Sequence, residues 1–399
     1  MKTYDVTIVG AGPAGAVAAY LCAKSGLEVL ILEKKALPRR KSCGGGLTAR
    51  TMDLLARIDC FDDKWIDQFS HHLQIHLPQI SRQYPVTGAK PFIGLVRRDQ
   101  FDLALTQKAV AAGAILHSEE SFRGFSPADG GRLQVTTEKA GFFTRALIGA
   151  DGYGSRVRRQ LEHRIYGRSR RMPALLGVEG DLPAETVETF SSRFCHLFFN
   201  FCSTVSYGWV FPRGKRLNVG LAIDLQGYQR SDRYRSPRAL LDWFVEKQLN
   251  ARTSWQRRAG AMIPLPHYRR RPLLQHGNVL LAGDAAGFAD AWTGEGIYYA
   301  VKSAVLAHQA IRQRFDRGKP VITDYGRLAR REILPELRRS YFFFRFFQRL
   351  PRAYHWLAHE RIRRLFLPYT YGELSYPKAF VKCLGLGLGY KIGLLKDIR

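Results

Sequence analysis

The feature that most restricts the fold is Gly10-Ala11-Gly12-Pro13-Ala14-Gly15, set between an apolar run at 4–9 (YDVTIV) and a stretch of small residues at 16–25. The run before it, rich in β-branched residues, predicts a buried strand, and the stretch after it predicts a helix ended by Gly26. A second apolar run, Leu27 to Leu32, closes on Glu33, 18 positions beyond Gly15. Strand, glycine turn, helix, strand and terminal acid in this order predict a dinucleotide site. Gly10 permits the tight turn, Gly12 lets the backbone approach a diphosphate, and Gly15 lets helix and strand pack closely. Pro13 and Ala14 open the helix whose N–H groups face the anion. Glu33, followed by Lys34, is placed to accept from a ribose hydroxyl. A carboxylate there repels a 2′-phosphate, so the site suits FAD or NAD better than NADP.

Two later segments repeat the pattern of strand, glycine and acid. Residues 145–156 lead into Gly149-Ala150-Asp151-Gly152, and residues 278–287 lead into Gly283-Asp284. Soon after, Thr293-Gly294-Glu295-Gly296-Ile297 opens a helical pattern running to about Gln313, again aiming a helix N-terminus at a ligand. Three glycine-rich strand ends imply a large, extended cofactor. Residues 114–124 are expected to form one strand returning towards an adenine, with the backbone near Phe122 in contact. Residues 173–260 alternate apolar and polar (HLFFNF, YGWVF, LNVGLAI) and predict a β-rich layer inserted between two cofactor-binding parts.

Among 399 residues, 62 Lys+Arg stand against 34 Asp+Glu, a formal net charge of +28, while 46% are hydrophobic. That balance excludes a disordered or collagen-like chain and predicts affinity for something anionic. Nucleic acid lacks its usual signs here, because neither a zinc spacing nor an aromatic RNA-binding motif accompanies the charge. The six cysteines have no paired zinc spacing, which argues for free thiols and against a metal site. No apolar run is long enough to span a membrane, and no leader pattern precedes the first strand, so a cytoplasmic protein is expected.

Residues 39–47 read Arg39-Arg40-Lys41-Ser42-Cys43-Gly44-Gly45-Gly46-Leu47. A glycine triplet is a poor helix or strand interior, so the backbone is expected to pass close to a flat ring with Cys43 at the entrance. With Tyr207-Gly208-Trp209-Val210-Phe211-Pro212, and with Gly-Asp-Ala-Ala-Gly followed by Thr-Gly-Glu-Gly-Ile, these residues resemble the geranylgeranyl reductase family of FAD-dependent oxidoreductases. This family lies within the flavoprotein superfamily that also holds aromatic hydroxylases. The resemblance spans about residues 4–325. It departs from the family at Gly220-Leu221-Ala222, where a second glycine is replaced by Ala222. It implies that Asp284 and Gly283 hold FAD, that Gly294, Gly296 and Ile297 lie beside the isoalloxazine, and that Asp151 guards the cofactor channel. It also implies that Arg98, in Arg98-Asp99-Gln100-Phe101-Asp102, opens a helix beside the cofactor, and that Cys43-Gly44-Gly45-Gly46 borders the flavin.

The implied reaction is saturation of C=C bonds in a prenyl chain carried by a lipid, chlorophyll precursor or quinone. An isolated alkene has no carbonyl to accept charge, so a proton must reach one carbon as hydride reaches the other. Cys43 and Tyr207 are the candidate donors, with Trp209 lining an apolar tunnel. The basic run 39–41 is expected to bear on Cys43 electrostatically if it faces the thiol. Electrons are expected from NADPH or a reduced ferredoxin. The alternatives are a flavin-dependent monooxygenase or halogenase acting on an aromatic substrate, and a flavin-binding protein without turnover. The expected fold is α/β: a Rossmann-like FAD-binding domain at 1–172 and 261–325, the β-rich substrate domain at 173–260, and a basic, aromatic helical segment at 326–399. That last segment, with Tyr341-Phe342-Phe343-Phe344-Arg345-Phe346-Phe347, then Pro351, Trp356 and a glycine-leucine stretch at 384–389, suits either a peripheral helix on an anionic membrane surface or a lid.

Overall fold

The computed structural model describes residues 1–78, 82–169, 171–186, 194–199, 201–202, 205–225, 228, 236–265, 272–350, 360 and 366–373. Its first sheet has the strand order Gln275–His276, Val279–Leu281, Gly141–Gly149, Thr3–Val9, Val29–Glu33, Ile115–Ser118. From Val279–Leu281 to Ile115–Ser118 every pair is parallel. Parallel strands covered on both faces read as unbroken apolar runs, and Val29–Glu33 is buried at every position. Helix Pro13–Lys24 packs between helices Arg98–Ala111 and Ile297–Asp316. Its small side chains make that approach close, and a Cβ on Gly15 would overlap the Gly10 carbonyl. Because the strands run the same way, the loops after Val9, Glu33, Gly149 and Leu281 gather at one edge, where such sheets bind ligands.

The second sheet runs Arg257–Pro264, Ala174–Pro183, Arg216–Asp224, Val205–Arg213, Phe194–Phe198, His72–Leu77, Arg82–Thr87. It is therefore wider than the segment 173–260 read from the sequence, because His72–Leu77 pairs in parallel with Phe194–Phe198 and brings Arg82–Thr87 with it. One face buries helix Pro237–Gln248 through Leu240, Leu241 and Phe244. The other face carries Leu73, Ile75, Tyr207 and Trp209 and meets the C-terminal helix Leu334–Arg349. A third, small sheet of Gly46–Thr48, Ile93–Leu95 and Gln68–Ser70 bridges the two.

One further expectation is corrected. Residues 114–124 form two strands, Ile115–Ser118 and Phe122–Pro127, interrupted where Glu119 takes φ 56°. The aromatic run at 341–347 is divided: Phe343, Phe344 and Phe347 are buried against the substrate sheet while Phe342 is exposed. Pro351, Trp356, Cys383 and the stretch 384–389 lie outside the described residues.

Candidate functional site

A cavity of about 810 Å³ runs from the glycine turn to the substrate sheet. At the turn, Gly10 takes φ +104° with the Ala150 carbonyl pressed against the place a side chain would need, a conformation that favours glycine. The Glu33 Oε2 accepts from the Ala11 N–H at 3.0 Å and from Arg39 Nε at 2.9 Å. Arg39 Nη1 continues to Asp102 Oδ2 at 3.0 Å, and Arg98 clasps both Asp102 oxygens at 2.8 and 2.9 Å. The basic run 39–41 thus does not converge on Cys43. Arg39 turns to Glu33 and Asp102, Lys41 stands 4.0 Å from Asp284 and Arg40 is exposed. The cation near Cys43 is Arg98, which lines the same cavity. From the sequence Arg39 was read only as part of the basic run and Asp102 only within the Arg98 segment; the Arg98 and Asp102 spacing of four on a helix was the available signal for their pairing.

Two helix N-termini meet the cavity without a side-chain cap, Pro13–Lys24 behind Gly12 and Ile297–Asp316 behind Gly296. Uncapped N–H groups at both ends suit a ligand that carries a diphosphate at one point and electron-rich carbonyls at another. Together with the side-chain-free cradle at Gly10, Gly12 and Gly15, this arrangement fits FAD. Lys34, Phe122, Asp151, Gly283, Asp284, Gly294, Gly296 and Ile297 all line the same cavity. Phe122 is tied by its carbonyl to Arg156 Nη1 at 3.0 Å. Asp151 Oδ2 accepts from the backbone N–H of Arg156 at 2.6 Å and of Val157 at 3.4 Å, while burial pushes its carboxyl pKa up. Asp151 therefore engages the first N–H groups of helix Arg156–Tyr166, whose N-cap is Ser155, while it lines the channel.

The Cys43 loop crosses the middle of the cavity. Its backbone N–H donates to Glu179 Oε1 at 3.1 Å, and Cys43 Sγ accepts from the Gly45 N–H at 3.3 Å. Gly44 lies against Trp209 and Phe211, leaving a Cβ only 3.1 Å from Trp209 Nε1. The indole is fixed in turn: Trp209 Nε1 donates to Asn218 Oδ1 at 2.8 Å, and Asn218 Nδ2 donates to Glu179 Oε2 at 3.3 Å. Glu179 and Asn218 thus set both the thiol loop and the ring. Sequence reasoning missed them, since they are single polar residues inside apolar strands. Gly220 stands opposite Trp209 in register and against its ring; Ala222, the departure from the family pattern, stands opposite Tyr207.

Tyr207 is buried, and its hydroxyl has no hydrogen-bond partner among the described residues. Burial, with Cys43 and Asp290 nearby, pushes its pKa up, so the phenol keeps its proton. Its Oη occupies the space a side chain on Gly294 would need. Cys43, Tyr207, Trp209 and residues 293–297 therefore line one cavity.

A buried network closes the cavity. Arg50 donates to Glu295, to Glu336 at 3.3 Å, to the Tyr299 hydroxyl at 3.3 Å and to the Tyr369 hydroxyl at 2.6 Å. Asp290 accepts from the Trp292 and Thr293 N–H groups, from Ser340 at 2.6 Å and from Tyr369 at 3.0 Å. Phe343 and Phe347 stack on Trp292. The C-terminal helices are thereby tied to the loop 290–296 as a lid. Among the described residues no group of three His, Cys, Asp or Glu is placed to hold a metal.

A family model described as an FAD binding domain matches residues 3–320. The chain is 32% identical over 358 residues to an uncharacterized protein, Mbar_A1602, of Methanosarcina barkeri, covering 87% of this chain and 84% of that one. It is 30% identical to a geranylgeranyl diphosphate reductase of Rhodobacter capsulatus, covering 79% and 77%. It is also 30% identical to a digeranylgeranylglycerophospholipid reductase of Methanosphaerula palustris, covering 80% and 79%. Among solved structures, a geranylgeranyl bacteriochlorophyll reductase-like protein of Thermoplasma acidophilum superposes with a TM-score of 0.76 at 22% identity, covering 88% and 89%. A flavin-dependent brominase, Bmp2, shares the fold at a TM-score of 0.74 and 18% identity, covering 98% and 99%. The cradle that fits FAD and these likenesses agree: the chain belongs to the geranylgeranyl reductase family of FAD-dependent oxidoreductases.

Proposed function

We propose that this oxidoreductase saturates C=C bonds of a geranylgeranyl-type prenyl chain borne by a lipid, chlorophyll precursor or quinone. The observation that carries the reading is an apolar wall of Tyr207, Trp209, Phe211, Leu197 and Ile263 that leads to Cys43 beside the flavin-side loop. FAD, when bound and reduced, supplies hydride. Trp209 and Phe211 hold the alkene and exclude water, and the lid residues Tyr369 and Thr370 cover it. One proton per double bond comes from the Cys43 thiol, with Arg98 lining the same cavity. Tyr207, kept protonated by burial, is the second donor within the same wall. NADPH or a reduced ferredoxin renews the reducing equivalents, the acidic ferredoxin being drawn to the net charge of +28. Among the described residues no helix is long and apolar enough to cross a membrane. Exposed Phe342 and Leu350 beside Arg338 and Arg349 suit peripheral contact with anionic lipid.

The test is anaerobic: the reduced enzyme is mixed with geranylgeranyl lipid, and flavin reoxidation is followed with product mass. A gain of two mass units per turnover supports the reading. Silence without air, followed by rapid oxidation with O₂ and an aromatic substrate, would replace it with a monooxygenase or halogenase. Cys43→Ala is expected to abolish alkene reduction with FAD still bound, whereas an unchanged rate removes the thiol as donor.

A further inference from the structure

A second cavity, of about 650 Å³, lies on the far side of the Cys43 loop and shares Arg40, Lys41, Cys43 and Arg98 with the first. Its character is opposite. The hairpin that carries Tyr207, Trp209 and Phe211 ends in Arg213-Gly214-Lys215-Arg216, and this tip forms one wall. Strand alternation sets Tyr207, Trp209, Phe211 and Arg213 on one face, and successive rings along it are 5.8 and 6.4 Å apart. An apolar wall therefore runs straight into a cationic mouth.

The acids at that mouth are few and mostly engaged. Asp67 pairs with Arg97 at 3.6 Å and Asp181 with Arg257 at 3.2 Å. Arg40, Arg213, Lys215 and Arg216 have no carboxylate partner among the described residues. Arg213 is held by its Nη2 bond to the Gly44 carbonyl, and its Nε is buried without a hydrogen-bond partner. A buried, unsatisfied guanidinium donor is costly unless a ligand completes it. Several cations converging on a concave site, with an arginine fork among them, match the oxygens of a phosphate or diphosphate better than a single carboxylate.

We infer that this cavity is a phosphate-binding subsite, built on the Arg213–Arg216 hairpin tip and Arg40, for the diphosphate or phosphate end of a ligand whose remainder enters beside Cys43. Two carriers present that chemistry, a prenyl diphosphate lying along the aromatic wall and a phosphorylated nicotinamide dinucleotide. The first carrier rests on the function proposed above; the phosphate site does not.

The test uses the full-length, FAD-loaded enzyme and inorganic diphosphate, titrated calorimetrically at 0.15 M salt, an ionic strength of roughly physiological screening. Binding at one site per chain is expected, weakened at least tenfold by Lys215→Glu/Arg216→Glu and by Arg40→Glu. The charge-matched Lys139→Glu/Arg317→Glu, at exposed positions lining neither cavity, is expected to bind normally. Equal weakening in all three, or no saturable binding by the parent enzyme, overturns the site. Retained FAD shows that a variant is folded. A KM rise confined to geranylgeranyl diphosphate, with geranylgeraniol unaffected, assigns the prenyl carrier, and slowed flavin reduction by NADPH with NADH unaffected assigns the nucleotide. Loss of diphosphate binding in the variants while the parent turns over no prenyl compound would leave the phosphate site standing and remove the prenyl reading.

Discussion

Replacing Arg50 by Met tests how the lid is held. The Arg50 and Glu295 side chains are 5% and 6% exposed, so Arg50→Met leaves a carboxylate stranded in a dry site. Breaking one side of such a pair costs about 3–5 kcal/mol. The guanidinium also sits 4.1 Å from the Tyr298 ring centre and 4.3 Å from that of Tyr369, each worth roughly 0.5–2 kcal/mol. Against this, the Thr48 and Thr51 hydroxyls still donate to Glu295, and Glu336 is open enough to be hydrated. The expected loss is about 3 kcal/mol, near a hundredfold in the folding equilibrium. Removing both charges in Arg50→Met/Glu295→Met should recover most of it, because Thr48 and Thr51 already lie 2.9 Å apart and can satisfy each other. Urea unfolding of the FAD-loaded parent, both single variants and the double variant gives the coupling directly. FAD dissociation should quicken in Arg50→Met, since Glu295 lies between Gly294 and Gly296 at the head of the flavin-side helix. A coupling below about 1 kcal/mol, or a single variant as stable as the parent, would refute the reasoning.

Two further perturbations probe the cavity and the sheet behind it. Gly44→Ala sets a methyl 3.1 Å from Trp209 Nε1 and from Phe211; the indole is pinned by Asn218, so overpacking of about 1 kcal/mol should raise KM near fivefold with FAD affinity kept, and an unchanged KM overturns Gly44 as the gauge of channel width. His76 is pulled down to about 3 by burial and by His196; between that value and its ordinary 6.5 the unfolded chain binds the extra proton, so stability is full above about pH 6.5 and falls towards pH 3 by at most about 1.4 kcal/mol per pH unit. His76→Phe should flatten that acid limb, and an unchanged slope in pH-dependent unfolding removes His76 as its source.

What the sequence disclosed was what local geometry imposes. The Gly10 to Gly15 turn, the acid-ended strands at Glu33, Asp151 and Asp284, and the helix after Gly296 are written in adjacent residues, because a turn with φ +104° at Gly10 or a bare helix N-terminus needs particular residues in place. Contacts across long separations left no such trace. Arg50 and Glu295 lie 245 positions apart, Glu179 reaches Cys43 across 136, and His72–Leu77, with Arg82–Thr87, joins a sheet whose remaining strands come about a hundred residues later. Glu119 breaks the expected strand at 114–124 without a glycine or proline to announce it. The basic run 39–41 was legible as charge and misleading as placement, since Glu33, Asp102 and Asp284 compete for it.

The shared fold cannot choose the chemistry, because a brominase at 18% identity has the same sheets. The choice lies in how polarity is distributed along one strand. From Tyr207 to Arg213 the Val205–Arg213 strand spans about 20 Å, beginning at a phenol beside Gly294, passing two rings against the Cys43 loop and ending in unpaired cations. A compact aromatic substrate touches one part of that line. A long apolar chain with an anionic end would touch all of it, its head at Arg213 to Arg216 and an interior double bond near Cys43, which is the arrangement that the proposed reaction and the proposed phosphate subsite together require.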